Sequence, residues 1–263
     1  MFKYTFMQRA LLVGSLISVS SAILGVVLVL KRYSMIGDGL SHVAFGAISI
    51  GLALGLSPLI VSIPIVIIAA FLLLRISNNT NLRGDAAIGM ISSGSLAIGV
   101  IVTSLSSGLN ANINNYMFGS VLTIENSYVW MSIMIAILVI GFFSLYQNRI
   151  FSVTFDENFS RASGIPVEQI NLIIALLTAF TVVIGIRIMG ALLISSLIVF
   201  PTISAMKISK SFKDVIITAA IISLICFIVG LITSFLLDIP TGAMVVMINI
   251  IALIISTVIG KTI

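Results

Sequence analysis

The sequence predicts an all-α, polytopic integral membrane bundle of about nine spans, a single domain over residues 1–263. Three observations carry that expectation. First, 60% of the 263 residues are hydrophobic and only 8% are charged, and mean hydropathy is +1.30. Soluble domains have an apolar share of roughly 45–50%. Second, the apolar residues gather into runs near the roughly 20 residues that a helix needs to cross a bilayer. Third, those runs are continuous rather than alternating, which excludes a membrane β-barrel and leaves helices to satisfy the backbone in lipid.

Taken in order, runs broken by charge, Gly, Pro or Asn place spans near 10–30, 36–55, 57–75, 86–106, 127–147, 168–186, 188–206, 213–236 and 240–260. Short or re-entrant segments would make the count eight or ten. Lys3 and Arg9 precede the first run as they would in a signal peptide, but Ala10 to Leu30 is longer than such an apolar region and no small-residue cleavage site follows. It reads as the first span.

The basic residues read as topology signals. If the segment from Arg149 to Glu168 is cytoplasmic, ten of them fall inside: Lys31, Arg32, Arg75, Arg83, Arg149, Arg161, Lys207, Lys210, Lys213 and Lys261. Lys3, Arg9 and Arg187 remain outside. This positive-inside bias places the N-terminus outside and the C-terminus in the cytoplasm. The net charge of +5 does not point to nucleic acid, because the cations are spread between spans instead of clustering with aromatics on one face.

Two connecting stretches stand out. SSGLNANINNYMFGSVLTIEN, external on this topology, mixes Asn and Gly with Tyr116, Met117 and Phe118 and suggests a segment that dips back into the protein. RIFSVTFDENFSRASGIPVEQ, the longest polar stretch, lies inside. Residues 149–167 form a cytoplasmic loop in which Phe155 and Phe159 are one helical turn apart, with Asp156, Glu157 and Arg161 around them. That spacing describes a short amphipathic helix, which either lies on lipid headgroups or docks a cytoplasmic partner. Gly164 and Pro166 are placed to end it.

The only histidine, His42, follows Asp38 by four residues within an apolar, small-residue span. On a helix these side chains share one face, and Gly46 and Ser49 continue the stripe, while Gly51-x-x-x-Gly55 adds a close-packing signature. An ionised Asp costs roughly 2.5–3.5 kcal/mol at the centre of a span, so such residues usually face a cavity or a partner. Two readings stand: a self-satisfied pair that fixes helix packing, or half of a transition-metal site. Two ligands are too few for selective binding. A symmetric dimer with this face on its axis would supply two Asp and two His, enough for tetrahedral zinc or the start of a larger manganese shell.

Other chemistry is excluded. Gly260-Lys261-Thr262 resembles the close of a phosphate-binding loop, but the required earlier glycine is Ile255. Intramembrane metalloproteolysis needs a second histidine, and serine hydrolysis lacks a G-x-S-x-G elbow. The chain is therefore not expected to be an enzyme, nor to hold a tightly bound cofactor. The single cysteine, Cys226, reads as a packed apolar side chain, and Asp238 as the cap of the span beginning near Pro240.

Six patches, FMQRAL, LKRYSMIGDGLSHVAFG, YMFGSVLTI, FDENFSRASGIP, MGALLISSLIVFPTISA and DIPTGAMVV, occur in order along nearly the whole chain. Through them the sequence resembles the membrane permease subunits of bacterial zinc and manganese ABC importers. The resemblance implies a multi-pass protein of the bacterial cytoplasmic membrane that pairs with a second copy and docks two ATPase subunits, which bind the ATP. It further implies that metal arrives from an extracytoplasmic binding protein.

Asp38 and His42 match the family's pore-side motif, which makes them the expected metal-path residues. Phe155, Asp156, Glu157, Phe159, Ser160, Gly164 and Ile165 match its coupling segment, although the family usually has alanine where this chain has Ser160. The MGALLISSLIVFPTISA patch is expected to pack and to carry no ligand. Zinc is the first expectation for the cargo, with manganese or iron as alternatives. A passive metal channel or an ion-coupled carrier is the alternative class; the carrier would need more intramembrane acids than Asp38.

Overall fold

A computed structural model of the chain describes residues 5–79, 84–106 and 126–260. They form ten helices: α1 (Thr5–Leu30), α2 (Ile36–Ala53), α3 (Pro58–Asn79), α4 (Gly84–Leu105), α5 (Asn126–Phe155), α6 (Glu157–Ala162), α7 (Val167–Met189), α8 (Ala191–Ile208), α9 (Phe212–Leu237) and α10 (Thr241–Ile259). Among the described residues there is no strand. Among the described residues, eight helices are long and apolar enough to cross a membrane, and Pro58–Leu73 of α3 forms a shorter apolar helix. The protein is thus a multi-pass helical membrane bundle of about nine spans. The external stretch around Tyr116, Met117 and Phe118, and the terminal Lys261, lie outside the described residues.

Burial sorts the helices into an interior and a rim. α1 and α2 are mostly enclosed, whereas α4 and α10 leave most of their surface free, with Ile98, Ile101, Leu105, Ile254 and Val258 exposed. In water such a belt would be costly; in a bilayer it faces hydrocarbon. α1 packs against α5, α7, α8 and α9, while α2 is held by α3, α4, α7 and α8.

Small residues set these distances, as expected where helices associate by close packing rather than by water exclusion. Gly25 of α1 and Gly37 of α2 both abut Ile198, so α8 is pressed between them. Gly46 lies against the Ser95 carbonyl of α4, and Gly99 of α4 against the Phe45 ring and the Gly46 backbone. Between α9 and α1, the Ser223 hydroxyl donates to the Ser18 carbonyl at 2.9 Å. Cys226 is buried, as its apolar neighbours implied.

The structure departs from the sequence reading in three places. Gly55 is not a packing residue: it lies beyond α2 at φ 68, with open space around it, and the Leu56 amide donates back to the Gly51 carbonyl at 2.9 Å. It terminates the helix, while Gly51 alone packs, against Pro58 and Val61 of α3. Asp238 does not cap α10; it closes α9 in the left-handed conformation, at φ 54, and Pro240 precedes α10.

The third departure concerns residues 149–167. α5 kinks at Tyr146 (φ −111, ψ 17) and then continues to Phe155. The stretch read as loop is therefore helical at its start, because Phe151 and Phe155 pack on Phe212, with Phe151 and Phe212 ring centroids 5.4 Å apart. Phe155 consequently ends α5 instead of sharing a short helix with Phe159.

Candidate metal site and cytoplasmic coupling segment

Asp38 lies in the first turn of α2, where the helix dipole favours a carboxylate. Its Oδ2 stands 3.6 Å from His42 Nε2, beyond hydrogen-bond range. The two side chains are 42% and 24% exposed, on a helix whose other faces are largely buried. His42 Nδ1, in contrast, is buried with no hydrogen-bond partner. The pair is therefore not a self-satisfied hydrogen bond, and its two free donor atoms face one another across a gap.

The spacing can be compared with that of two ligands sharing one ion. Two ligands at about 2.1 Å from a shared ion and roughly 3.6 Å from each other subtend about 118°, near the tetrahedral angle. An octahedral right angle would need about 3.0 Å. Among the described residues no group of three or more His, Cys, Asp or Glu is placed to hold a metal, so none of them adds a third such side chain to Asp38 and His42.

Asp38 opens onto a groove of about 330 Å³ whose walls include Ser34, Met35, Ser195, Ser196 and Phe200, and His42 is not part of this lining. The α8 patch was expected mainly to pack and to carry no ligand; two of its residues, Ser195 and Ser196, line the same groove as Asp38. Ser196 donates to Leu193 O at 2.8 Å and Ser195 to Leu192 O at 3.2 Å. Their protons are thus turned to their own helix, which leaves oxygen lone pairs as acceptors. The adjacent serines were visible in sequence, but nothing local said which face they occupied. On the same α2 stripe, Gly46 and Ser49 turn inward: Gly46 meets α4, and the Ser49 hydroxyl donates to Phe45 O at 2.9 Å.

The segment that the sequence leads us to expect as a coupling element is built around α6. Asp156 is its N-cap, accepting from the Phe159 amide at 2.9 Å. Ser160 is fully buried and its hydroxyl donates to Asp156 O at 2.8 Å, so the hydroxyl that replaces the expected alanine is accommodated. Gly164 takes φ 76 to turn the chain, and the Ile165 amide donates to Ser160 O at 3.0 Å while its side chain packs against the main core. Phe155 and Phe159 are 60% and 64% exposed. Glu157, by contrast, turns inward to Lys31, with Oε1 to Nζ 2.8 Å.

Burial is the largest single influence on Glu157 and pushes its carboxyl up. The hydrogen bond and charge of Lys31, the Asn171 amide and the charge of Arg161 outweigh it and hold the group below its ordinary value. For Lys31 burial wins, and its ammonium is held below the usual lysine range despite Glu157.

Known proteins align over nearly all of this architecture. The chain is 29% identical over 249 residues to the high-affinity zinc uptake system membrane protein ZnuB of Haemophilus influenzae, covering 94% of each chain. It is 25% identical to the manganese transport system membrane protein MntC of Listeria monocytogenes, covering 94% of this chain and 88% of the relative. The fold matches the solved structure of PsaBC from Streptococcus pneumoniae in complex with Fab, with a TM-score of 0.85 at 22% identity over 97% of this chain and 91% of the other. The profile of the ABC 3 transport family matches residues 3–260, and the chain belongs to that family.

Proposed function

We propose that this protein is the membrane permease subunit of an ATP-driven importer of a divalent transition metal, and that Asp38 and His42 line the ion path. The observation that carries the reading is the open carboxylate and imidazole pair, 3.6 Å apart on the exposed strip of a buried helix, in a chain of a transport family. Two copies meeting at this strip would complete a four-ligand shell, and a shell assembled only at an interface can release its ion when the helices move.

ATP hydrolysis belongs to a separate subunit on this reading, and α6 with the exposed Phe159 is the surface that receives it. An extracytoplasmic binding protein would deliver the metal. Alternating exposure of the groove to the two sides is a gating motion of helices, not chemistry at the site.

Zinc is the first cargo, because the Asp38 to His42 spacing suits a tetrahedral ion. Manganese is the second reading, and one observation favours it: Ser195 and Ser196 line the same groove as Asp38, and their oxygens would add hard donors of the kind that a six-coordinate ion takes.

The test is uptake of zinc and of manganese, in separate assays, by vesicles holding the permease with its ATPase and binding protein, comparing wild type with His42→Ala. The expected result is ATP-dependent uptake of one metal that collapses in the assembled variant. Uptake indifferent to ATP would favour a passive channel or an ion-coupled carrier and overturn the importer reading. Normal uptake by His42→Ala would overturn the site assignment.

A further inference from the structure

The Lys31 ammonium, one residue beyond α1, donates to Glu157 Oε1 at 2.8 Å and to Asn171 Oδ1 at 2.6 Å. Asn171 Nδ2 donates to the same Glu157 oxygen at 3.1 Å. The three side chains close a triangle that joins the end of α1, the short helix α6 and the second turn of α7. Lys31 is only 8% exposed and Glu157 29%.

A buried charge pair is a weak source of stability, because desolvation offsets its attraction and an apolar replacement is often neutral. What it supplies is short, directional contact. α6 has little else: it packs chiefly against its chain neighbours α5 and α7.

Beyond Lys31 the chain has no slack. The Tyr33 amide donates to Leu28 O at 2.7 Å and Arg32 to Val29 O at 3.0 Å, with Arg32 held at φ 63, so α1 ends in a tight left-handed turn. Ile36 then donates to Tyr33 O at 3.0 Å and Gly39 to Met35 O at 2.9 Å, which starts α2 at once. Ser34, Met35 and Asp38 of this elbow line the groove. Lys31 and Asp38 are thus seven residues apart in the chain, with an elbow of hydrogen-bonded turns between them.

We propose that the Lys31, Glu157 and Asn171 triangle is a strut that carries movement of α6 to the α1–α2 elbow and so to the ion path. All three are positioning residues and none touches the ion. The proposal rests on the reading of α6 as the ATPase-docking helix and of Asp38 as a path residue. It adds the connection between them.

The experiment measures ATP hydrolysis and metal uptake in the same proteoliposomes, containing permease, ATPase and binding protein, for wild type, Lys31→Met, Asn171→Ala and the exchange Lys31→Glu with Glu157→Lys. Co-purification of the ATPase with each variant reports assembly. The expected result is that Lys31→Met and Asn171→Ala keep the ATPase and its turnover while metal moved per ATP falls by roughly 2- to 30-fold, the span expected for residues that carry coupling.

The exchange should restore part of the ratio, since the Asn171 amide can flip to serve the reversed pair. Wild-type ratios in Lys31→Met and Asn171→Ala would overturn the strut, as would loss of the ATPase from both, which would make the triangle a docking element. If Lys31→Met does not assemble, Asn171→Ala, which leaves both charges in place, decides alone. Wild-type uptake that ignores ATP would instead strike the functional reading beneath it.

Discussion

Gly46 packs against α4 on the stripe that carries the proposed path residue His42, and Gly46→Ala is the substitution that tests their connection. Gly46 lies one helical turn beyond His42 on the same stripe, and a Cβ built there would sit 2.7 Å from the Ser95 carbonyl oxygen of α4. Ordinary contact begins at 3.4 Å, so α2 and α4 must part by about 0.7 Å, and the obstructing atom is backbone, which cannot rotate away. Overpacking of this kind costs about 1–3 kcal/mol, partly offset by the gain of up to about 1 kcal/mol for Ala over Gly in a helix.

The control is Gly94→Ala on α4, where nothing lies within 4 Å, and which gains only the helix term. In detergent, Gly46→Ala should unfold roughly 5 °C below wild type, with Gly94→Ala equal to it or above. Because His42 is carried by the displaced turn, Gly46→Ala should also lower metal uptake by about tenfold. Equal thermal stability of the two variants would refute the close-approach argument. A stability loss with uptake unchanged would show that His42 tolerates the shift, and so does not line the path.

Three further outcomes concern α6 and the proposed coupling segment. Asp156→Ala removes the side-chain cap at the start of α6 and should cost about 1 kcal/mol of local order, read as faster amide exchange at Phe159 and Ser160 with the membrane helices unchanged. Phe159→Asp should leave permease stability within about 0.5 kcal/mol, because the ring is exposed, yet abolish co-purification with the ATPase; retained co-purification would remove α6 from the docking surface. Glu157, depressed by its partners against the push of burial, stabilises the fold above its unfolded-state value near 4.5, and that contribution is lost as pH falls through the lower folded value. Protection of α6 amides should therefore be flat between about pH 6 and 8 and fall only on the acid side, a step that Glu157→Gln removes.

Much of this protein is legible without coordinates, because the properties concerned are local. Runs of apolar residues have to be helices in lipid, and the chain turns where Lys31 to Met35 or Gly164 to Pro166 interrupt them. Asp38 and His42 are on one face because residues four apart on a helix always are. The segment from Asp156 to Pro166 carries its own start and stop signals, and the family is legible from six ordered patches. The errors were local too: a glycine spacing made Gly55 look like a contact when left-handed geometry makes it a terminator, and the same conformation puts Asp238 at the end of α9 rather than at the start of α10.

What the sequence did not hold is which surfaces meet. Lys31 lies 126 residues from Glu157 and 140 from Asn171, and no local pattern pairs a cation after one span with an amide in the second turn of another. Ser195 and Ser196 read as packing until α8 is set against α2, and whether the Asp38 and His42 pair is sealed or open depends on neighbours that leave it partly exposed. The physical reason is that periodicity and span length follow from the bilayer and the helix, acting residue by residue along the chain. Partners at long separation are chosen by the fit of glycine gaps, side-chain volumes and buried charges between helices, which only the assembled bundle decides.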